Sequence, residues 1–387
     1  MRICFLFNHD QPHQIAHSLP VALALAKMGS GAEILVATTN ALLTREVNRL
    51  CGDAIPQGIK FVQLGLRTAV ARRLAKLVDP AVPAAKILVY RDNLDFFRSL
   101  DVLVVTEKTS LILKSRYHLD HLHMVYTSHG AGDRAIGFDA ATAQFDQVMA
   151  AGPKIRDRWI TETKVDPAKI CVTGYPKFDL VAGEAKRLPM QDNGRPTVLY
   201  NPHPSPTLSS WYLQGRAVLD YFLSSDRYNL IFAPHVMLFR RKFVLTIDRF
   251  AIDRPGRVAA KYRAAPHVHI DLGSSASSDM TYTQAADIYL GDASSQIYEF
   301  LIRPRPAIFF NTHHADWESD PDYGHWHSGQ VIPDAAALDA ALDRALAVQP
   351  HFAKVQADMF AHTFDLTDAP SSQRVAQAIL DGLAKKP

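Results

Sequence analysis

Cysteine is scarce in this chain: Cys4, Cys51 and Cys171 are the only three among 387 residues. An odd number at wide spacing excludes a disulfide framework and a cysteine-based zinc site. Cys4 and Cys171 lie in apolar runs and read as small core residues, so a reducing compartment, the cytoplasm, is expected. Long hydrophobic runs are missing too. No uncharged apolar stretch reaches the roughly 18 residues that cross a bilayer. The opening RICFLF run meets His9, Asp10 and Gln11 at once, which speaks against a secretory signal. Charge of one sign is also absent: 42 Lys and Arg stand against 39 Asp and Glu, a net charge of +3. That balance lacks the concentrated basic face of a nucleic-acid binder.

What the chain does have is ordinary globular composition, 48% hydrophobic, and a length that exceeds one core and fits two domains. Arg2 to Phe7 reads as a buried strand, an Ala- and Leu-rich helix follows from about Ile15 to Met28, and Glu33 to Thr38 is the next strand. Strand, helix, strand at this spacing is a βαβ unit and requires a parallel sheet. Further strands are expected over 60–64, 101–106, 124–128, 146–150 and 170–173, with a basic amphipathic helix over 67–78. The polar stretch Glu184 to Pro196 reads as a linker. The alternation then restarts, with strands over 197–200, 229–233, 267–271, 288–290 and 306–310 and helices over 215–223 and 294–302. The expected architecture is α/β, with two doubly wound Rossmann-like domains facing a cleft that takes ligands at the carboxyl ends of the strands. Residues 1–183 form the first, on the acceptor side, and 197–370 the second, which binds a nucleotide donor. A helix over 371–387 is a candidate to return to the first domain.

The segment Ala286 to Phe310, ADIYLGDASSQIYEFLIRPRPAIFF, is the most informative. A strand ends at Gly291-Asp292, and Ser294 and Ser295 open a helix. Free N–H groups and a dipole end there favour phosphate, and two small hydroxyls add donors. Asp292 or either serine can equally be an ordinary N-cap.

Four segments in order resemble the CDP-glycerol glycerophosphotransferases of the teichoic-acid-polymerase type. Gly291-Asp292-Ala293-Ser294-Ser295 is similar to the family's Asp-Tyr-Ser-Ser pattern, with Ala293 in place of the aromatic. Ser128-His129-Gly130-Ala131-Gly132-Asp133-Arg134 resembles its His-Gly-Thr motif, Gly174-Tyr175-Pro176-Lys177-Phe178-Asp179 its Gly-Tyr-Pro-Arg-x-Asp motif, and Ala233-Pro234-His235 its second histidine motif. The resemblance covers about 130–345 and implies a glycosyltransferase-B fold, a CDP-linked nucleotide-diphosphate donor, and release of CMP as a polyol phosphate passes to a polyol-phosphate, glycan or lipid-linked acceptor. No cofactor and no metal are implied.

On this reading His129, at a strand end between small residues, is the base for the attacking hydroxyl. His235 stabilises charge on the departing nucleotide, and Ser294, Ser295 and Asp292 hold the diphosphate. Lys177 and Arg240 are further phosphate candidates, although the turn around Lys177 is explained by Gly and Pro alone. Glu299 either holds ribose hydroxyls or pairs with Arg303 four residues on. His9, Asp10, Arg134 and His203 are acceptor-side candidates; His203 lies in a three-proline loop that can be simply rigid. The segment 313–327, crowded with His, Asp and Glu, lacks metal-ligand spacing and reads as a donor- or acceptor-side loop. Basic residues over 67–76 and 240–263 suit a solvated face or peripheral contact with an anionic membrane. A nucleotide-sugar transferase, an epimerase and a catalytically silent nucleotide-binding module share the fold and stay open.

Overall fold

The central apolar runs become strands buried on both faces, as parallel sheets require, and the edge strands stay partly exposed. In the computed structural model, residues 1–9, 11–52, 57–67, 84–128, 130–133, 138–181, 187–246 and 251–384 are described. The chain forms two units: the first holds Met1–Ala131, Phe138–Ala182 and His362–Pro387, the second Gly132–Gly137 and Gly183–Ala361.

The first unit contains β1 (Arg2–Phe7), β2 (Glu33–Thr38), β3 (Ile59–Gln63), β4 (Val102–Val105), β5 (His123–Thr127), β6 (Gln147–Ala150) and β7 (Ile170–Val172). They form one parallel sheet in the order β3-β2-β1-β4-β5-β6-β7. The order reverses between β1 and β4, the position at which doubly wound sheets take ligands beyond the carboxyl ends of their strands. Ile3, Phe5 and Phe7 of β1 pack with Leu19, Ala22 and Leu25 and with Val375, Ala376 and Ile379 of the final helix, Ser371–Ala384. Gln147 ties that helix to β6 by donating from Nε2 to the Ala378 carbonyl (2.7 Å).

The second unit repeats the plan with β8 (Thr197–Asn201), β9 (Asn229–Phe232), an antiparallel ribbon of β10 (Val244–Thr246) and β11 (Ala251–Asp253), then β12 (Val268–Ile270), β13 (Ile288–Gly291), β14 (Ala307–Phe310) and β15 (Gln330–Ile332). The parallel sheet runs β12-β9-β8-β13-β14-β15, so its reversal lies between β8 and β13. Its core joins Tyr200, Phe222, Phe232, Leu290 and Phe310 to Leu338, Ala341 and Leu342. The α/β class with two doubly wound parallel sheets is therefore what the alternation of elements indicated.

Three helices differ from expectation. The helix expected from Ile15 begins at Leu19, after a short 3-10 turn, Pro12–His17. Pro20 lacks an N–H and is accommodated only in a first helical turn. The helix expected over 215–223 starts four residues earlier, as Trp211–Ser224. The helix expected over 294–302 is a single turn, Gln296–Phe300. Pro304 and Pro306 prevent its continuation, and Arg305 closes it by donating to the carbonyls of Phe300, Thr283 and Ala286. Arg305 also stacks 3.7 Å from the Phe300 ring centre, and burial pushes its guanidinium down to about 9. The basic helix expected over 67–78 lies, beyond Arg67, outside the described residues.

The Gly-Tyr-Pro-Lys-x-Asp segment acts within the first unit. Gly174 has φ +83°, and a side chain there would strike Ser371. The Tyr175 amide donates to Ser371 Oγ (2.9 Å), and Asp179 accepts from the amides of Ser371 (3.3 Å) and Ser372 (2.6 Å). Asp179 thus supplies the negative charge at the start of the final helix. Replacing Asp179 with Ala is expected to cost about 1 kcal/mol, the usual value of a lost cap; an unchanged urea midpoint would show that the contact carries no stability.

Candidate functional site

The crevice of the second unit is built where β8, β9 and β13 end. Asn201, the last residue of β8, donates from Nδ2 to the Ala233 carbonyl beyond β9 (2.6 Å) and accepts from the Tyr289 hydroxyl of β13 (3.3 Å). Three strand ends are thereby held in register by one side chain. The following loops then meet on Asp292. Its Oδ1 accepts from the amides of His203 (2.8 Å) and Ala293 (2.7 Å), and its Oδ2 from the amide (2.6 Å) and hydroxyl (2.9 Å) of Ser210. Asp292 is fully buried. Burial raises its carboxyl above the usual carboxylate range, and these donors pull in the opposite direction. Ser210 precedes the helix Trp211–Ser224, so the carboxylate also sits at that helix's start.

The carbonyl of Asp292 is held separately. His325 Nε2 (2.8 Å) and Trp326 Nε1 (2.9 Å) both reach it. His325 Nδ1 lies 2.9 Å from Asp133 Oδ2, the His325 amide donates to the same oxygen (3.0 Å), and the Tyr298 hydroxyl donates to Asp133 (2.6 Å). Both ring nitrogens of His325 are thus engaged, Nδ1 by the Asp133 carboxylate and Nε2 by the Asp292 carbonyl. Asp133, Tyr298 and His325 are all buried.

Two histidines line the neighbouring loops. The His235 amide donates to the Pro202 carbonyl (3.0 Å), and the rings of His203 and His235 lie 6.0 Å apart. His203 Nδ1 accepts from the Ser205 amide (3.1 Å) and His235 Nδ1 from the Met237 amide (3.3 Å). His235 keeps a small opening to the surface but is otherwise enclosed, and the loss of water pushes its imidazole down to about 4. It is therefore neutral at pH 7. Beside them Ser294 is buried and Ser295 exposed. Gly132 approaches so closely that an added Cβ would lie 2.9 Å from the Ser295 Cβ.

Asp292, Ser294, Ser295, His203 and His235 thus gather at the carboxyl ends of β8, β9 and β13. Glu299 is buried on the one-turn helix, and Arg303 turns its guanidinium to the Gln284 carbonyl (2.6 Å). Arg240 is exposed in the second unit beyond β9. Lys177 is buried in the first unit, as is His9, which follows β1 and meets Phe7 edge-on with ring centres 6.1 Å apart. His129, Asp10 and Arg134 lie outside the described residues.

Sequence reasoning missed Ser210, Asn201 and Tyr298. It passed over Asp133 inside a motif it had singled out, and His325 and Trp326 inside the histidine-rich segment. That segment is dispersed: His313 lies 3.1 Å from the Ser209 carbonyl, and His327 packs on Trp317 with ring centres 4.9 Å apart. Among the described residues no group of three or more His, Cys, Asp or Glu is placed to hold a metal. Sequence reasoning also missed Glu107, which follows β4 at the reversal point of the first sheet. It accepts from the Tyr90 hydroxyl (2.9 Å) and the Ser110 amide (3.2 Å), and burial raises its carboxyl.

No protein-family model matches the chain, and no curated protein matches it. Solved structures do. The wall teichoic acid polymerase TagF is similar at 13% identity, over 99% of this chain and 89% of that one, with a TM-score of 0.61. S. aureus MnaA in complex with UDP is similar at 12% identity over 100% and 98% of the two chains, TM-score 0.62. The UDP-GlcNAc 2-epimerase from Neisseria meningitidis bound to UDP-GlcNAc is similar at 12% identity over the full length of both, TM-score 0.57. At such identities the likeness carries the fold, and the fold is glycosyltransferase-B.

The neutral, largely enclosed His235 has a consequence for stability. An unfolded histidine takes up its proton near 6.5, whereas folded His235 does so only near 4. The unfolded state therefore binds more protons between those values, and stability is kept above about 6.5 and lost as pH falls towards 4. His235→Gln is expected to remove up to about 1.4 kcal/mol per pH unit of this dependence. Urea denaturation across that window checks it; an unaltered slope in the variant would assign the dependence to other groups.

Proposed function

We propose that this chain is an enzyme that binds a nucleoside-diphosphate-activated donor at the β8–β13 crevice of the second unit. The observation that carries the reading is the loop after β13. Asp292 is held at both its carboxylate and its carbonyl, which leaves Ser295 exposed three residues on, at the same strand ends that carry His203 and His235. A crevice at the reversal point of a doubly wound sheet is where such folds take nucleotides.

The donor favoured is CDP-linked, and the group transferred is glycerol phosphate or a related polyol phosphate. The acceptor hydroxyl oxygen attacks the phosphorus that bears the polyol. A new P–O bond forms, the P–O bond to CMP breaks, and the hydroxyl proton passes to His129. His235, neutral when the site is empty, gains a proton-stabilising partner when a diphosphate arrives, and its protonated form offsets charge on the departing CMP. Ser294 and Ser295 serve the diphosphate, with Lys177, Arg240 and Glu299 as further donor contacts, and Asp292 acts by shaping the loop. The acceptor enters from the side of His9, Asp10, Arg134 and His203. Residues 184–196 link the acceptor-side and donor-side domains. We place the reaction in the cytoplasm, where the three unpaired cysteines stay reduced, with peripheral contact at the inner face of the cell membrane; among the described residues no helix is long and apolar enough to cross it. The likeness to a UDP-GlcNAc 2-epimerase supports a second reading, an enzyme acting on a nucleotide sugar at the same diphosphate site.

A thermal-shift panel of CDP, UDP, GDP, ADP and dTDP, with and without Mg²⁺, separates these. A ligand at about 100 times its Kd adds roughly 2.7 kcal/mol, a shift of a few degrees. Selectivity for CDP without need of Mg²⁺ is expected, followed by CMP release that is lost in His129→Ala; UDP selectivity would move the assignment to the nucleotide-sugar enzyme, and no shift with any nucleotide would remove the donor site. If His235 gains its proton on donor binding, calorimetric enthalpies should vary with buffer ionisation enthalpy, by proton uptake of at most about one per site, and affinity should fall as pH rises. Buffer-independent enthalpies would leave His235 uncharged in the complex.

A further inference from the structure

The second unit carries a face that the crevice does not use. A cavity of about 420 Å³ opens between the first turns of the helix Trp211–Ser224 and the segment 254–262. Trp211, Tyr212 and Tyr262 line it, and Arg216, Arg254 and Arg257 stand around it. The Trp211 indole donates to the Pro255 carbonyl (2.8 Å) and fixes this segment against the helix. The ribbon of β10 and β11 leads directly into the cavity: Phe243 precedes β10, Arg254 follows β11, and the Arg254 guanidinium lies 4.4 Å from the centre of the Phe243 ring.

Two properties coincide here. Large apolar side chains stand in water: Phe243 is 49% exposed, Leu213 60% and Ile252 65%. Single exposed apolar residues are common, but here Leu213 lines the cavity, Phe243 lies against Arg254, which also lines it, and Ile252 stands two residues before Arg254 on β11. The cations are also unbalanced. Lys261 bonds to Asp220, and Arg216 lies 3.8 Å from the same carboxylate, whereas the side chains of Arg241, Lys242, Arg254 and Arg257 form no ion pair among the described residues; the one acid beside them, Asp253, accepts from the Arg254 amide (2.6 Å).

We propose that this face docks the protein on a membrane that carries anionic lipid. Arg254 and Arg257 meet the lipid phosphates, and Phe243, Ile252 and Leu213 enter the boundary between headgroups and acyl chains. Charge complementarity selects an anionic surface, and the aliphatic residues select a lipid one. A nucleic acid would engage the arginines but leave Ile252 and Leu213 in water, since aliphatic side chains do not stack on bases as aromatic rings do. The assignment rests on the peripheral location proposed above and names the surface responsible for it.

The test is co-sedimentation of the full chain with vesicles of phosphatidylcholine alone and of phosphatidylcholine with phosphatidylglycerol in equal parts, at low and high salt. Binding is expected only to the anionic vesicles. Removing two arginines should weaken it on the order of 25-fold, about fivefold each, so Arg254→Glu with Arg257→Glu is expected to abolish sedimentation at low salt. Phe243→Ser with Ile252→Ser is expected to remove the part of the binding that survives high salt. Both double variants replace exposed side chains, so melting temperature and nucleotide-induced shift should match those of the unmodified protein. Failure of the unmodified protein to bind anionic vesicles would overturn both the location and the face. Vesicle binding that neither double variant alters would overturn the face alone, as would competition by RNA for the same arginines without any lipid preference. The nucleotide panel reads out the catalytic assignment independently.

Discussion

A carboxylate with no access to water must be answered by donors from the protein itself, or its charge is too costly to keep. Asp292 is such a group, and much of the second unit's crevice follows from how it is answered. Its four donors come from the loop after β8, from Ser210 at the start of the helix Trp211–Ser224, and from its own loop. The same residue's carbonyl is met by His325 and Trp326, and His325 is anchored in turn on Asp133 beside Tyr298. Segments far apart in sequence are thus required to converge on one residue. Moving any of them would strand a buried polar atom, which costs more than the bond itself contributes.

This arrangement divides labour along a short stretch. Asp292 is spent on structure, Ser294 is buried beside it, and Ser295 is the one presented outwards. The turn that follows, Gln296–Phe300, is too short for a macrodipole of any size, so the loop offers hydroxyls and backbone N–H groups rather than a helix end. His203 and His235 are both oriented by backbone amides on Nδ1, which turns Nε2 to the other side of each ring. The first unit shows a parallel use of burial: Glu107, after β4, is kept high by desolvation against the Tyr90 hydroxyl.

Much of the framework was legible because it depends on local pattern. Continuous apolar runs such as RICFLF and EILVAT admit little besides strands in a two-sided sheet, and their alternation with helices implied parallel order. The clustering of Asp292, Ser294, Ser295, His203 and His235 was legible only in pieces, as two motifs (233–235 and 291–295) and a proline-rich loop, each following a strand of one sheet whose ends share an edge. Helix extents were less so. Pro20, Pro304 and Pro306 set boundaries that composition had blurred, and Ser210 opened a helix whose first turn reads as loop. Glu299 and Arg303 stand four apart as an ion pair would, yet Arg303 turns to a carbonyl from another segment.

By itself, then, the chain determined its class: two βαβ series, few cysteines, no spanning run, and ligand-suited residues at strand ends. Those are consequences of nearest-neighbour chemistry along the backbone. Tertiary structure alone decided which polar groups meet. Asp179 caps a helix that begins 192 residues later, and His325 reaches Asp133 across the same separation. Such pairings depend on which strands lie adjacent and on which polar atoms are left without water, and neither is encoded at the spacing of a motif. Burial decided the rest, for the charge state of His235 and the fixed role of Asp292 come from the water excluded around them and not from the residues beside them in sequence.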